Sequence, residues 1–155
     1  MRWFRKVSSA PAGDYEALGK AIDWLEIEIE TGRGELKTRG RIIDVAANLP
    51  SWVEYYYGVF MEVEAIMKFM ELQIDRETQA ARIRYTDHYN RALSAPSIEK
   101  YAAADDSVLA LRQLHIHVTL LRNQLSGLHK GFDTLNYQLS NITKIRCAGI
   151  EDAEL

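Results

Sequence analysis

The feature that most constrains this chain is a run of apolar residues near its C-terminus. Leu111, Leu114, Val118, Leu121, Leu125, Leu128, Phe132, Leu135, Leu139 and Ile142 follow one another at 3-4 spacing without a slip. That repeat belongs to a long helix of about five heptads, roughly 55–60 Å from end to end. Burying one such side chain stabilises by about 1.5–3 kcal/mol, so ten of them cannot remain in water. No other segment reads as long enough to cover the whole seam, and partner chains are the expected cover. With Leu111 at an a position, the e and g positions are His115, His117, Arg122, Gln124, His129, Gly131, Asn136, Gln138, Thr143 and Ile145. A two-stranded zipper usually carries Glu and Lys there. These flanks are weakly charged, and Ile116, Leu120 and Tyr137 add apolar surface, which favours a ring or bundle over a dimer. The other reading of the same periodicity is a helical bundle closed within one chain.

The remaining segments also read as helical. Residues 1–15 form a flexible basic-aromatic arm, Arg2-Trp3-Phe4-Arg5-Lys6, that ends at Asp14, a plausible N-cap. A helix follows to about Glu30, with Leu18, Ile22, Leu25 and Ile29 on one face, and Thr31-Gly32-Arg33-Gly34 is expected to stop it. A second segment, about 35–48, is expected to break at Asn48-Leu49-Pro50, with Ser51 capping a central helix from Trp52 to about Leu93. Its stripe is Trp52, Tyr56, Val59, Val63, Met67, Met70 and Ile74; past Ile74 the face turns polar and the helix should project beyond its core. Ser97 caps a short helix to Ala103, and Asp105 with Asp106 starts the last one. The expected fold class is all-α: an elongated helical protomer whose C-terminal heptad helix forms a ring-like or bundled homo-oligomer. The expected parts are the arm 1–15, helices 16–96 carrying nucleic-acid contacts, oligomerisation helices 97–147 and a tail 148–155.

Composition narrows the chemistry. A single cysteine, Cys147, excludes an intrachain disulfide and fits a reducing cytoplasm. No run approaches the ~18 apolar residues of a membrane span. His115 and His117, two apart on a helix, do not share a face, so a metal site is not expected. Gly32-Arg33-Gly34 lacks the spacing and preceding strand of a phosphate loop. No acid, base and nucleophile converge, so neither an enzyme nor a cofactor is expected.

The net charge of −3 does not advertise nucleic acid globally, so such a role needs local patches. Arg76, Arg82, Arg84, His88 and Arg91 crowd the polar end of the central helix, interleaved with Tyr85 and Tyr89. Cations for phosphates and rings for base stacking are the usual ingredients of sequence-blind single-strand binding. Asp75, Glu77 and Asp87 dilute the patch; a solvated helix face is the plain alternative. The N-terminal arm, and Lys144 with Arg146, are two further basic patches.

Several short motifs then point one way. They are Ala81-Arg82-Ile83-x-Tyr85, Ala104-Asp105-x-x-Val108-Leu109, Ser126-Gly127 and Ile142-x-x-Ile145-Arg146. In order and spacing they resemble the UvsY-type recombination mediators of large tailed phages, over about residues 16–147. The resemblance implies a homo-oligomer, about a hexamer or heptamer, built on the C-terminal helices. It implies binding to single-stranded DNA and to single-strand-binding protein, and loading of a RecA-like recombinase. Ala80 stands where the family signature has lysine; only Arg82 carries over directly. The site residues so expected are Arg76, Arg82, Arg84, Tyr85, His88 and Arg91 for single-stranded DNA, and the heptad residues for assembly. The alternative is a helical scaffold or assembly protein of a phage that binds no DNA.

Overall fold

The computed structural model describes residues 2–11, 13–37, 41–87 and 94–149. Among them the chain is all-α: α1 (Arg2–Ser8), α2 (Glu16–Leu36), α3 (Ile42–Asp87), α4 (Ala95–Ala103) and α5 (Asp106–Cys147), with no strand.

The two long helices set the frame. Tyr57 meets His129, Glu64 meets Arg122, Glu71 meets His115 and Arg84 meets Asp105, so α3 and α5 run antiparallel along their whole length. Helix α2 lies against the middle of this pair and parallel to α5: Glu26 faces His117, and Arg33 faces Gln124. The core forms where the three meet, from Leu25 and Ile29 of α2, Tyr56, Val63, Ile66 and Met70 of α3, and Val118, Leu125 and Phe132 of α5. The Tyr56 ring stacks on Phe132 at 5.3 Å, and Trp52 tilts against the same ring at 6.1 Å. Burial, then a hydrogen bond to Glu35, holds the Tyr56 hydroxyl above its ordinary pKa, so it stays protonated.

This arrangement revises the expected cover of the heptad seam. Leu111, Val118, Leu121, Leu125, Leu128 and Phe132 are buried within one chain, while Leu114, Leu135 and Leu139 are half-buried and Ile142 is exposed. The cover is α3, 46 residues long, with α2 beside it. No segment was expected to reach along the seam, and a break was expected at Pro50. Helix α3 instead runs through Pro50, which is itself exposed. A proline inside a helix costs about 3 kcal/mol. Burial of Val45 and Leu49 in the turns just before it is of the same size or larger.

Three more differences share a cause, tertiary packing overriding a local signal. Helix α2 does not stop at the glycines but continues to Leu36, because Gly32 is buried where α2 crosses its neighbours. A Cβ there would sit 2.8 Å from Tyr56 Cζ, with Leu128 closer still. Gly131 of α5 gives Leu36 the same clearance. The end of α3 does not project free: Ala81 is fully buried with Ala102 of α4 and Val108 of α5. And residues 2–8 are not a loose arm but a helix packed on α2 and α3. Helix α4 begins at Ala95 with Ser94 at its N-cap position, three residues before the expected cap, Ser97. Asp105 caps α5 as expected, its Oδ1 accepting from the Ser107 N–H at 3.1 Å. Asp14 Oδ1 accepts from the Glu16 N–H at 3.0 Å, one residue before the N-cap position of α2.

Candidate nucleic-acid interface

Four of the expected binding residues, Arg76, Arg82, Arg84 and Tyr85, lie on the last turns of α3, and the fold sends them in two directions. Arg82 and Arg84 turn toward α4 and the start of α5. Arg82 Nη2 donates to Glu99 Oε2 at 2.7 Å, and Arg84 Nη2 donates to Asp105 Oδ2 at 3.0 Å. Arg82 Nε is buried without a hydrogen-bond partner among the described residues. Tyr85 tilts against Tyr101 of α4 with centroids 5.8 Å apart. The hydrogen bond from the Ser107 hydroxyl, and then that from Arg84, hold the Asp105 carboxyl below the usual carboxylate range. Asp105 in turn raises the Arg84 guanidinium. These side chains therefore close a corner of the bundle as well as offering charge.

Arg76 stands apart from them. It lines a cavity of about 280 Å³ with Gln73, Tyr15 and the C-terminal end of α1. It is exposed and has no carboxylate partner among the described residues. His88 and Arg91 lie outside the described residues, as does Tyr89.

Another group of exposed cations lies on α1. On α1, Arg2, Arg5 and Lys6 are exposed, and among the described residues none has a carboxylate within ion-pair distance. Lys6 Nζ lies 4.4 Å from the Trp3 ring centroid and the Arg2 guanidinium 6.0 Å, so two cations flank one indole. What makes this display rigid is Glu62, a residue the sequence reading passed over. Its carboxylate is 6% exposed and accepts from the backbone N–H groups of Trp3 at 2.6 Å and Phe4 at 2.9 Å. It thus satisfies two orphan amides of α1 and complements the positive end of the helix. Trp3 packs on Trp24, Phe4 meets Phe69 edge-on, and Val7 is buried. A signal was present: Glu62 lies on the same face of α3 as Val59, Val63 and Ile66, an acid inside an apolar stripe.

At the far end only α3 and α5 remain side by side. There Ile43 is 71% exposed and Tyr137 68%, and Ile142 and Ile145 are exposed too. Lys144 and Arg146 close the helix, with Cys147 exposed beside them. His115 and His117, two apart in sequence, diverge to Glu71 at 3.7 Å on α3 and Glu26 at 3.0 Å on α2. No protein-family model matches the chain, and neither a curated protein nor a solved structure matches it.

Proposed function

We propose that this chain is a recombination mediator of the UvsY type. As a homo-oligomer of about six or seven copies it binds single-stranded DNA, and it helps load a RecA-like recombinase onto strands coated by single-strand-binding protein. The observation that carries the reading is where the resembling motifs fall in the fold. Ala81-Arg82-Ile83-x-Tyr85 and Ala104-Asp105-x-x-Val108-Leu109 are separated by about twenty residues yet form one corner. Ala81 packs with Val108, and Arg84, at the unspecified position of the first motif, pairs with Asp105 of the second. Motifs shared only because both chains are helical need not meet in space.

The bonds at that corner bear on how DNA would be held. Exposed ion pairs are worth about 0–1 kcal/mol, so phosphates can take Arg82 and Arg84 from Glu99 and Asp105 at little cost. The α1 cations and Arg76, beside the end of α1, have no ion pair to break and make the first contacts. Each patch is small, and an oligomer multiplies it. The exposed Tyr137, Ile142, Ile145 and Ile43 are the surface on which copies would meet, since the upper seam is already covered within the chain.

Labelled oligo(dT) titrated at rising salt tests the reading. Binding should weaken with salt by about 0.7 in the log–log slope for each phosphate contact. Arg5→Glu with Lys6→Glu, and separately Arg82→Ala with Arg84→Ala, should each lower both affinity and slope. Binding that ignores salt, or that survives both pairs of changes, contradicts it. One observation favours the runner-up, a helical scaffold without DNA: two of the expected DNA contacts already hold carboxylates. Nuclease-sensitive material that co-purifies speaks for the mediator, and a co-purifying virion protein for the scaffold.

A further inference from the structure

Four elements close around the cavity beside Arg76: the end of α1, the start of α2, the later half of α3 and the beginning of α5. Its floor is apolar and fixed in place. Leu18, Met70 and Leu111 are 3%, 2% and 1% exposed, and Phe69 is half-buried beside them. Its rim is polar and carries Asp14, Tyr15, Gln73 and Arg76.

The fold leaves most of that rim's hydrogen-bonding capacity unused. Among the described residues the Tyr15 hydroxyl and the Gln73 amide have no hydrogen-bond partner, and Arg76 has no carboxylate. Asp14 Oδ1 accepts from the Glu16 N–H. Burial, then the charge of Glu77, holds the Tyr15 hydroxyl above its ordinary pKa, so at neutral pH it can donate as well as accept. The Gln73 amide can do both too. An apolar cleft with a few converging polar groups is the usual form of a binding site.

Size and charge narrow the occupant. At about 280 Å³ the space lies just under the ~300 Å³ at which small-molecule clefts begin, so it takes one small ring system. The lining holds one carboxylate, Asp14, and one cation, Arg76, which cancel and favour a ligand whose body is neutral. A flat neutral ring with donors and acceptors along its edge meets both conditions. It lays its faces on Phe69 and Met70 and turns its edge to Tyr15 and Gln73. A nucleobase is such a ring, and in a strand it arrives tied to a phosphate, which suits the exposed Arg76. Arg5 and Lys6 lie within a turn of Val7 and Ser8, which form one wall, so the neighbouring phosphates also meet cations. We propose that this cavity seats one nucleobase of the bound single strand, with the adjoining phosphate on Arg76. The assignment rests on the single-strand-binding reading above and gives that reading a particular seat.

The probes are two fluorescein-labelled strands of equal length and charge, titrated by anisotropy with the full chain at low salt: oligo(dT), and the same backbone without bases. Oligo(dT) should bind at least about tenfold more tightly than the abasic strand. Tyr15→Phe with Gln73→Met removes the polar edge at nearly constant volume. The pair should weaken oligo(dT) about fivefold or more and leave the abasic strand within about twofold. The thermal midpoint should hardly move, because neither side chain has a partner to lose; each single change should give part of the effect. Salt-dependent binding that is equal for the two strands overturns the base seat and leaves the single-strand reading standing. So does a double variant that keeps the full preference for oligo(dT), or one that weakens both strands alike. Absence of binding to either strand overturns the single-strand reading itself, and the base seat with it.

Discussion

Gly32 and Gly34 sit two residues apart on α2 and have opposite roles. A methyl group at Gly32 would strike Tyr56 and Leu128, whereas one at Gly34 would meet nothing within 4 Å. Gly34→Ala should therefore raise stability by about 0.5–1 kcal/mol, the ordinary gain from removing a helical glycine. Gly32→Ala should lower it by about 1–3 kcal/mol, because the α2–α5 crossing must open. Urea midpoints at unchanged m-value would check both; equal effects would remove the packing argument. Read in one dimension the two residues look alike, as a helix stop. Only a crossing helix separates them, and no local pattern announces where that crossing falls. Glu62 differs in kind, because its misplacement on an apolar face was readable without any partner.

At the scale of elements, caps were legible and interruptions were not. Asp105 is the case where local chemistry decided: a short acceptor before a helical stretch binds the Ser107 amide in any context. Its depressed carboxyl sets a sign for pH. With the folded pKa below the ordinary 3.8, the ionised form stabilises the fold above that value. That contribution is lost as pH falls through the folded pKa. Acidification below about pH 4 should loosen the α4–α5 corner, and Asp105→Ala should lower stability at neutral pH by about 0.5–2 kcal/mol while removing this part of the acid response. Stability curves of the two chains at neutral and acid pH check this; an undiminished acid response in Asp105→Ala contradicts it. Helix α1 carries a second expectation. Glu62→Met should leave the Trp3 and Phe4 amides unpaired and release α1. Amide exchange at residues 2–8 should then accelerate far more than in α3, and tryptophan emission should shift to the red.

At the scale of the molecule, the heptad repeat predicted one long helix with an apolar face, and α5 is that helix. What periodicity alone left open is whose side chains cover it. Most of the seam is core: Leu121 and Leu128 are 3% exposed between α2 and α3. Polar residues there should unfold the chain, at a cost of about 2–5 kcal/mol each, and report nothing about assembly. Ile142→Asp and Tyr137→Asp, on the exposed end of α5, are the changes that should separate copies while circular dichroism stays native. The proposed DNA contacts were legible only in part. Clustering of arginines in sequence could not show that Arg82 and Arg84 close a corner, nor that α1 is held rigidly enough to present Arg2, Arg5 and Lys6.

Light scattering of the intact chain, with and without oligo(dT), tests the central proposal most directly. The mediator reading predicts a particle of about six or seven copies of the 17.7-kDa chain, to which oligo(dT) adds mass at low salt and from which it is lost as salt rises. A 17.7-kDa particle that gains no mass from the oligonucleotide would contradict it.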